Sequence, residues 1–202
     1  IPPAYGRPEL APVSTGLGEI YEFYLESDRH TPMELRTILD WTVALKLRSV
    51  PGVIEVNAMG GEAKQYQVVI DPKRLAEYHL SLGHILETLE HNNGNVGGGY
   101  IERRNEQVVL RGEAQFKTLD DIAGTTVTVD QDGTPVLLRN VATVKLGPAL
   151  RYGVVTKYGK GEIVAGTAMM LIGQNSREVV KNVKLELAQI QKTLPAGVRI
   201  VP

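Results

Sequence analysis

The stretch PGVIEVNAMGGEAKQYQVVIDP, Pro51 to Pro72, decides how the rest of the chain is divided. Pro51-Gly52 stops a preceding helix, because proline cannot extend the helical ladder and glycine accepts the left-handed conformation that ends one. Val53 to Met59 reads as a strand. Gly60-Gly61 punctuates, and a new unit begins: Tyr66, Val68 and Ile70 alternate with Gln65, Gln67 and Val69, and Asp71-Pro72 then starts a short helix through Tyr78. Far along the chain a second glycine boundary, Gly147-Pro148, closes that unit.

Upstream of this boundary, Ile1 to Ser14 reads as an extended, Pro- and Gly-rich lead-in, and Ile20, Phe23 and Leu25, with Tyr21 and Tyr24, read as a strand. Thr31, Pro32 and Glu34 form a capping box with proline at the first helical position. Leu35, Ile38, Leu39, Thr42 and Leu45 follow at helical spacing. Downstream, Ser81 caps a helix with Leu82, Ile85, Leu86 and Leu89 on one face, and the glycine-rich HNNGNVGGGYI, His91 to Ile101, follows it. Val108 to Leu110, Thr125 to Val129, Val136 to Leu138 and Val144 to Leu146 read as strands, and Leu119 to Ile122 as a helical turn. The last third predicts a strand over Arg151 to Tyr158, a turn over Gly159 to Gly161 and a strand over Ile163 to Ile172. A helix capped by Asn175 or Ser176 follows, then a strand over Val198 to Val201. With roughly Lys64 to Gly147 removed, the remainder is β-α-β followed by β-α-β. The fold class is therefore α+β: a ferredoxin-like split βαβ sandwich over residues 1–64 and 148–202, with an α+β unit, residues 65–147, inserted into it.

Composition narrows the function classes. The chain has 202 residues, enough for one large or two modest domains. Its formal net charge of −1 offers no basic excess to attract nucleic acid or a membrane surface. The absence of cysteine removes disulfides, thiolate ligands and cysteine nucleophiles together, and is compatible with the periplasm. The longest apolar run, Ile163 to Ile172, is about half of the ~20 residues a spanning helix needs. No signal peptide is visible, and the opening at Ile1 and the stop at Pro202 suggest a soluble piece of a longer protein.

Candidate chemistry is sparse. The glycine stretch follows a helix and lacks a Lys-Ser or Lys-Thr, so it is neither a P-loop nor a dinucleotide fingerprint. Part of it is a helix stop, but an excursion that continues into Tyr100-Ile101 and returns through Val108 to Leu110 is a two-stranded ribbon, marginal unless packed on a neighbour. His84 and His91 share a helix face with Glu87 and Thr88 between them, a metal-ligand candidate set against the plainer reading of a solvated face. His30 and His79 sit near element ends. Met169 and Met170 lie mid-strand, so they point to opposite faces and cannot jointly hold one soft ion. Asp120-Asp121 open a helical turn, where carboxylates meet free N–H groups. Nothing assembles a catalytic centre, and no resident cofactor is expected.

Several stretches together carry a resemblance: TGLGEIYEFYLE, LRTILDWTVALKLRSVPGVIEVNAMGGEAKQYQVVIDPKRLAEYHLSL, NNGNVGGGYIE, PVLLRNVATVKLGPALRYG and MMLIGQNSREVVKNVKLELAQI followed by LPAGVRI. The chain resembles the heavy-metal efflux branch of the resistance–nodulation–division transporters, the cobalt–zinc–cadmium and copper–silver exporters, over nearly its whole length. The resemblance implies a trimeric inner-membrane antiporter that exports metal cations on the proton gradient, working with a periplasmic adaptor and an outer-membrane channel. This chain is then most of the first large periplasmic loop. The split βαβ unit becomes a porter subdomain and the insert, about Gln65 to Gly147, a docking subdomain. Asn92 to about Arg111 becomes an arm reaching into the next protomer, with Asn92, Asn93, Gly94, Gly97, Gly98, Gly99, Tyr100 and Ile101 at the interface. The proton relay and most of the metal ligands lie outside the chain. The few methionines, Met33, Met59, Met169 and Met170, lean away from the methionine-clustered copper–silver type and toward a harder, divalent ion. Two alternatives remain: a stand-alone periplasmic module binding a divalent metal through His84 and His91, and the same portion of a pump that exports organic compounds.

Overall fold

In the computed structural model the described residues are 18–103, 106–130, 132–159 and 161–202. The lead-in expected over Ile1 to Ser14 lies outside them. In chain order the elements are β1 (Glu19–Glu26), α1 (Pro32–Ile38), a π-helical turn (Leu39–Val43) continuing into α2 (Ala44–Arg48), and β2 (Val53–Met59). Next come β3 (Lys64–Ile70), α3 (Pro72–Glu77), α4 (Leu82–His91), β4 (Val96–Arg103), β5 (Glu106–Gly112), α5 (Leu119–Ala123), β6 (Thr126–Val129), β7 (Pro135–Leu137), α6 (Leu138–Val141) and β8 (Ala142–Pro148). The chain closes with β9 (Val164–Met170), α7 (Ser176–Gln191) and β10 (Arg199–Val201). These elements group into two compact units, Gln65–Gly147 and the remainder on either side of it.

In the flanking unit the sheet order is β10-β1-β9-β2. β1 pairs antiparallel with both β9 and β10, and β9 pairs antiparallel with β2. Strands from the two ends of the chain therefore interleave in one sheet, the order a split βαβ sandwich requires. Phe23, Leu25, Val53, Val56 and Val164 pack with Leu35, Leu39, Val43 and Leu47 of the first helical stretch and with Val179, Val183, Leu187 and Ile190 of α7. Both helices thus cover the same face of the sheet. A side chain at Gly166 would place its Cβ 2.6 Å from Cζ of Phe23, so the ring fills the space above the central strand that glycine leaves.

The helix starts obey elementary capping. Thr31 Oγ1 accepts from the Glu34 N–H at 3.3 Å, and the Glu34 carboxylate accepts from the Thr31 N–H at 2.8 Å. At α5, Thr118 and Asp121 repeat the arrangement, and Asp121 Oδ2 accepts from the N–H groups of Lys117 and Thr118 at 3.0 and 2.9 Å. The backbone N–H of Thr31, and then its hydroxyl, hold Glu34 below its ordinary value of 4.5; the N–H groups of Lys117 and Thr118 hold Asp121 below 3.8. Since both carboxyls titrate lower in the folded chain, their contribution is present above those ordinary values and is lost as pH falls through the depressed ones. Urea unfolding followed from pH 6 down to pH 2 should therefore show a shallower acid limb for Glu34→Gln and Asp121→Asn than for the wild type; an unchanged limb would mean the caps carry no linked protons.

One expected element is absent. Alternation predicted a strand over Arg151 to Tyr158, but there is no named strand there, only an isolated bridge between Thr156 and Glu162. The alternating residues Leu150, Tyr152 and Val154 are exposed, so their pattern reflects no core face. Side chains anchor the segment instead. Arg151 Nη1 is 2.7 and 2.8 Å from the two oxygens of Glu162, whose Oε1 also accepts from the Gly61 N–H at 3.0 Å. The expected strand Val136 to Leu138 is shifted by one residue to Pro135–Leu137: Leu138 begins α6, where the Leu137 N–H donates to Asn140 Oδ1.

In the inserted unit, β3 pairs with β8 and β6 with β7. Ile85, Ile122, Val127, Val136, Leu138, Val141 and Ala142 form its core, with Val68, Leu75, Leu89 and Phe116 packed around them.

Candidate functional site

Two surfaces in the chain stand out: a ribbon without the cover that its residues call for, and a sheet face that carries polar side chains but no helix. The first is the ribbon made by β4 and β5, paired Tyr100 to Val109, Ile101 to Val108 and Glu102 to Gln107. Every residue of both strands is exposed. Tyr100 and Val109, 61% and 77% exposed, lie on one face; Ile101, Val108 and Leu110 lie on the other. An isolated two-stranded ribbon is marginal in water, and one with apolar side chains on both faces is made to be covered on both. The glycines give it shape. A bulge falls between Gly97 and Tyr100, Gly99 takes a φ of 81°, and a Cβ at Gly98 would sit 3.0 Å from the Cβ of Leu110. The asparagines tie its base. Asn92 Nδ2 donates to the Thr88 carbonyl at 2.8 Å, Asn93 Oδ1 accepts from the Phe116 N–H at 3.0 Å, and Asn95 Oδ1 accepts from the Ala114 N–H at 3.3 Å. Gly94 lies between the Asn93 and Asn95 clamps, and a Cβ there would meet nothing within 4 Å.

The second surface is the helix-free face of the four-stranded sheet. Register places Thr167 opposite Glu22 on one side and opposite Asn57 on the other. Phe23, Gly166, Val56 and Ala58 belong to the helix-covered core, so by alternation these three side chains share the other face. Directly paired residues have Cβ atoms about 4.5–5.5 Å apart, so a carboxylate, a hydroxyl and an amide form one row across three strands. Thr167 is 3% exposed, and its Oγ1 has no hydrogen-bond partner among the described residues. A buried hydroxyl without a partner costs about 1–3 kcal/mol. The next row is Tyr24, Ala165 and Met59; on the other side Met169 faces Glu19 and Glu55. The sequence alone did not single out Glu22, Asn57 or Thr167. Thr167 sits inside the apolar run Ile163 to Ile172, and only the register brings Glu22 and Asn57 beside it.

The metal-ligand candidates weighed from sequence are not gathered together. His84 Nε2 lies 2.7 Å from the Val127 carbonyl, which ties the ring to β6. His91 occupies the last turn of α4 and is exposed. Among the described residues no group of three or more His, Asp or Glu side chains is placed to hold one ion. Met170 packs against the helix-covered core while Met169 is buried on the opposite side. Asp121 is engaged as a helix cap, with Asp120 beside it. His30 pairs with Glu34 at 3.5 Å, and His79 takes a φ of 53° just past the end of α3. No helix among the described residues is long and apolar enough to cross a membrane.

Comparison with known proteins gives a consistent result. The model of the AcrB/AcrD/AcrF family matches residues 1–202. The chain is 46% identical over 203 residues to the cobalt-zinc-cadmium resistance protein CzcA of Cupriavidus metallidurans, covering 96% of this chain and 19% of that protein. It is 40% identical over 201 residues to the cation efflux system protein CusA of Escherichia coli K12, covering 98% of this chain and 19% of that protein. A crystal structure of a heavy metal efflux pump superposes with a TM-score of 0.83 at 28% identity, over 99% of this chain and 20% of that one. The chain thus spans about a fifth of the length of these relatives.

Proposed function

Because the chain belongs to the AcrB/AcrD/AcrF family, we propose that it is the periplasmic porter and docking portion of a proton-driven heavy-metal cation efflux pump of the inner membrane. The observation that carries this reading is the 46% identity, over nearly the whole chain, to a protein whose name specifies cobalt, zinc and cadmium resistance. The flanking unit is the porter part. Its two helical layers lie on one side of the sheet, which leaves the other side to form the wall of a cleft, and the unit moves as a rigid body to open and close that cleft. The Glu22–Thr167–Asn57 row is the part of the wall the cation passes. Carboxylate, amide and hydroxyl oxygens suit harder divalent ions better than copper(I) or silver. Most of the remaining ligands, and the proton relay, belong to other parts of the pump.

The inserted unit is the docking part. Its ribbon enters the neighbouring protomer of a homotrimer, which accounts for apolar side chains on both of its faces. The adaptor and outer-membrane channel complete the export path.

A chimera tests this reading. With this chain in place of the corresponding segment of the cobalt-zinc-cadmium relative, a host lacking its own pump should regain zinc and cobalt tolerance. Loss of tolerance with normal expression and a normal trimer would count against the assignment. Removing residues 93–105 from the same chimera should reduce the trimer in detergent at least severalfold; an unchanged trimer mass would dispose of the arm.

A further inference from the structure

Beyond Glu22 on β1, the helix-free face carries a cation cage that is already filled. The ammonium of Lys157 lies over the ring of Tyr24, 4.0 Å from its centroid, and contacts the Tyr24 hydroxyl. It is 3.9 Å from Glu26 Oε2 and 5.6 Å from the centroid of Tyr158. A carboxylate with aromatic faces is a well-matched set for holding a positive charge. The loop that delivers Lys157 is tightly shaped. Thr156 bridges Glu162, the Lys157 N–H donates to the Gly161 carbonyl at 3.3 Å, and Tyr158 adopts a φ of 49°, uncommon for a bulky residue. The Lys157 side chain reaches Tyr24 and Glu26 of β1 and so ties this loop to the sheet. Glu26 is also paired with Arg199 at 3.0 Å, so it does not depend on Lys157 for its only counter-charge. Tyr24 follows Glu22 by two positions on the same face, which puts the cage about 7 Å along the strand from the Glu22–Thr167–Asn57 row.

We propose that Lys157 is a tethered substitute for the cargo cation. With the row empty, its ammonium supplies the positive charge at the Tyr24–Glu26 end of the face. A divalent ion arriving at the row repels the ammonium, which leaves the cage and frees the Thr156–Glu162 loop. The inference rests on the reading of this face as the cation path. Linkage is reciprocal: if the ion expels the lysine, removing the lysine's charge tightens the ion.

Zinc titration of the chain by calorimetry tests it. Lys157→Met keeps the stem and removes the charge. It should tighten zinc binding roughly four- to thirtyfold, the range for a double and a single charge ~10 Å apart at an effective dielectric of about 33 to 80. Lys157→Arg should stay within about twofold of wild type. Adding Glu22→Gln should weaken binding in every background. In the wild type, zinc should speed hydrogen exchange at the amides of Lys157 and Ile163, which bond to Gly161 and Val155. Equal zinc affinity in wild type and Lys157→Met overturns this inference and leaves the cation-path reading standing. Binding tightened as much by Arg as by Met also overturns it, because packing rather than charge would then be responsible. Zinc binding to neither chain overturns both readings.

Discussion

Phe23→Ala is expected to lower the unfolding free energy of the chain by about 3–5 kcal/mol, the usual cost of deleting a buried aromatic ring. Phe23 is 2% exposed, and its ring lies over the backbone of Gly166 within the helix-covered core. The reciprocal substitution sharpens the test. Gly→Ala in a strand ordinarily stabilises by about 0.4–1 kcal/mol through the unfolded chain. At Gly166, however, the new carbon would come 2.6 Å from one ring atom, closer than real carbons approach, and 3.0 Å from two others. Overpacking of this kind costs about 1–3 kcal/mol, so it outweighs the entropic gain and the sign reverses. Combined with Phe23→Leu, Gly166→Ala should become nearly neutral, because the residue it collides with is gone. Urea unfolding of the four chains in this cycle decides the matter. Additive costs, within about 0.5 kcal/mol, would mean that ring and glycine are not packed as described.

Thr167→Val should do two opposite things at once. It replaces a buried hydroxyl lacking a partner among the described residues with a methyl of the same shape, so the chain should become more stable by about 1 kcal/mol or more. For a chain of this size that is a rise of roughly 2–4 °C in Tm. In the chimeric pump the same change should cut zinc tolerance, because the central donor of the row is lost, while Thr167→Ser should retain it. A fall in Tm for Thr167→Val would mean the hydroxyl has a partner in the folded chain, and the row would lose its main support. A rise in Tm with full tolerance would make the orphan hydroxyl a structural accident.

The fold was legible because its signals are local. Pro51-Gly52, Thr31 with Glu34, Ser81 and the Val179–Ile190 stripe each report their own element, and the glycines at 60, 61 and 147 separate the elements into units. The segment Arg151 to Tyr158 misled for the same reason. Leu150, Tyr152 and Val154 alternate as a strand would, and nothing nearby in sequence reveals that the segment is held by Arg151, Glu162 and Lys157 rather than by a ladder. The candidate site was hidden more deeply. Glu22, Asn57 and Thr167 come from three strands spread over most of the chain, and each alone is an ordinary polar residue. Only pairing and alternation bring them into one row, and only burial distinguishes Thr167 from any other threonine. The histidines attracted attention because spacing along one helix can be read directly; the tie from His84 to the Val127 carbonyl spans two elements and cannot.

The sheet order β10-β1-β9-β2 has a consequence for how the chain is made. On the ribosome β1 appears first, but both of its partners come from the final third, after the whole Gln65–Gly147 unit has emerged. The guest can therefore finish folding while its host still waits with an unpaired first strand and a helix whose apolar stripe has no sheet to rest on. Such non-local closure is slow, and exposed strand edges invite misassociation in the interval. Chains arrested in translocation just before β9 should accordingly engage holding chaperones on the periplasmic side, and emergence of β10 from the translocation channel should end that dependence.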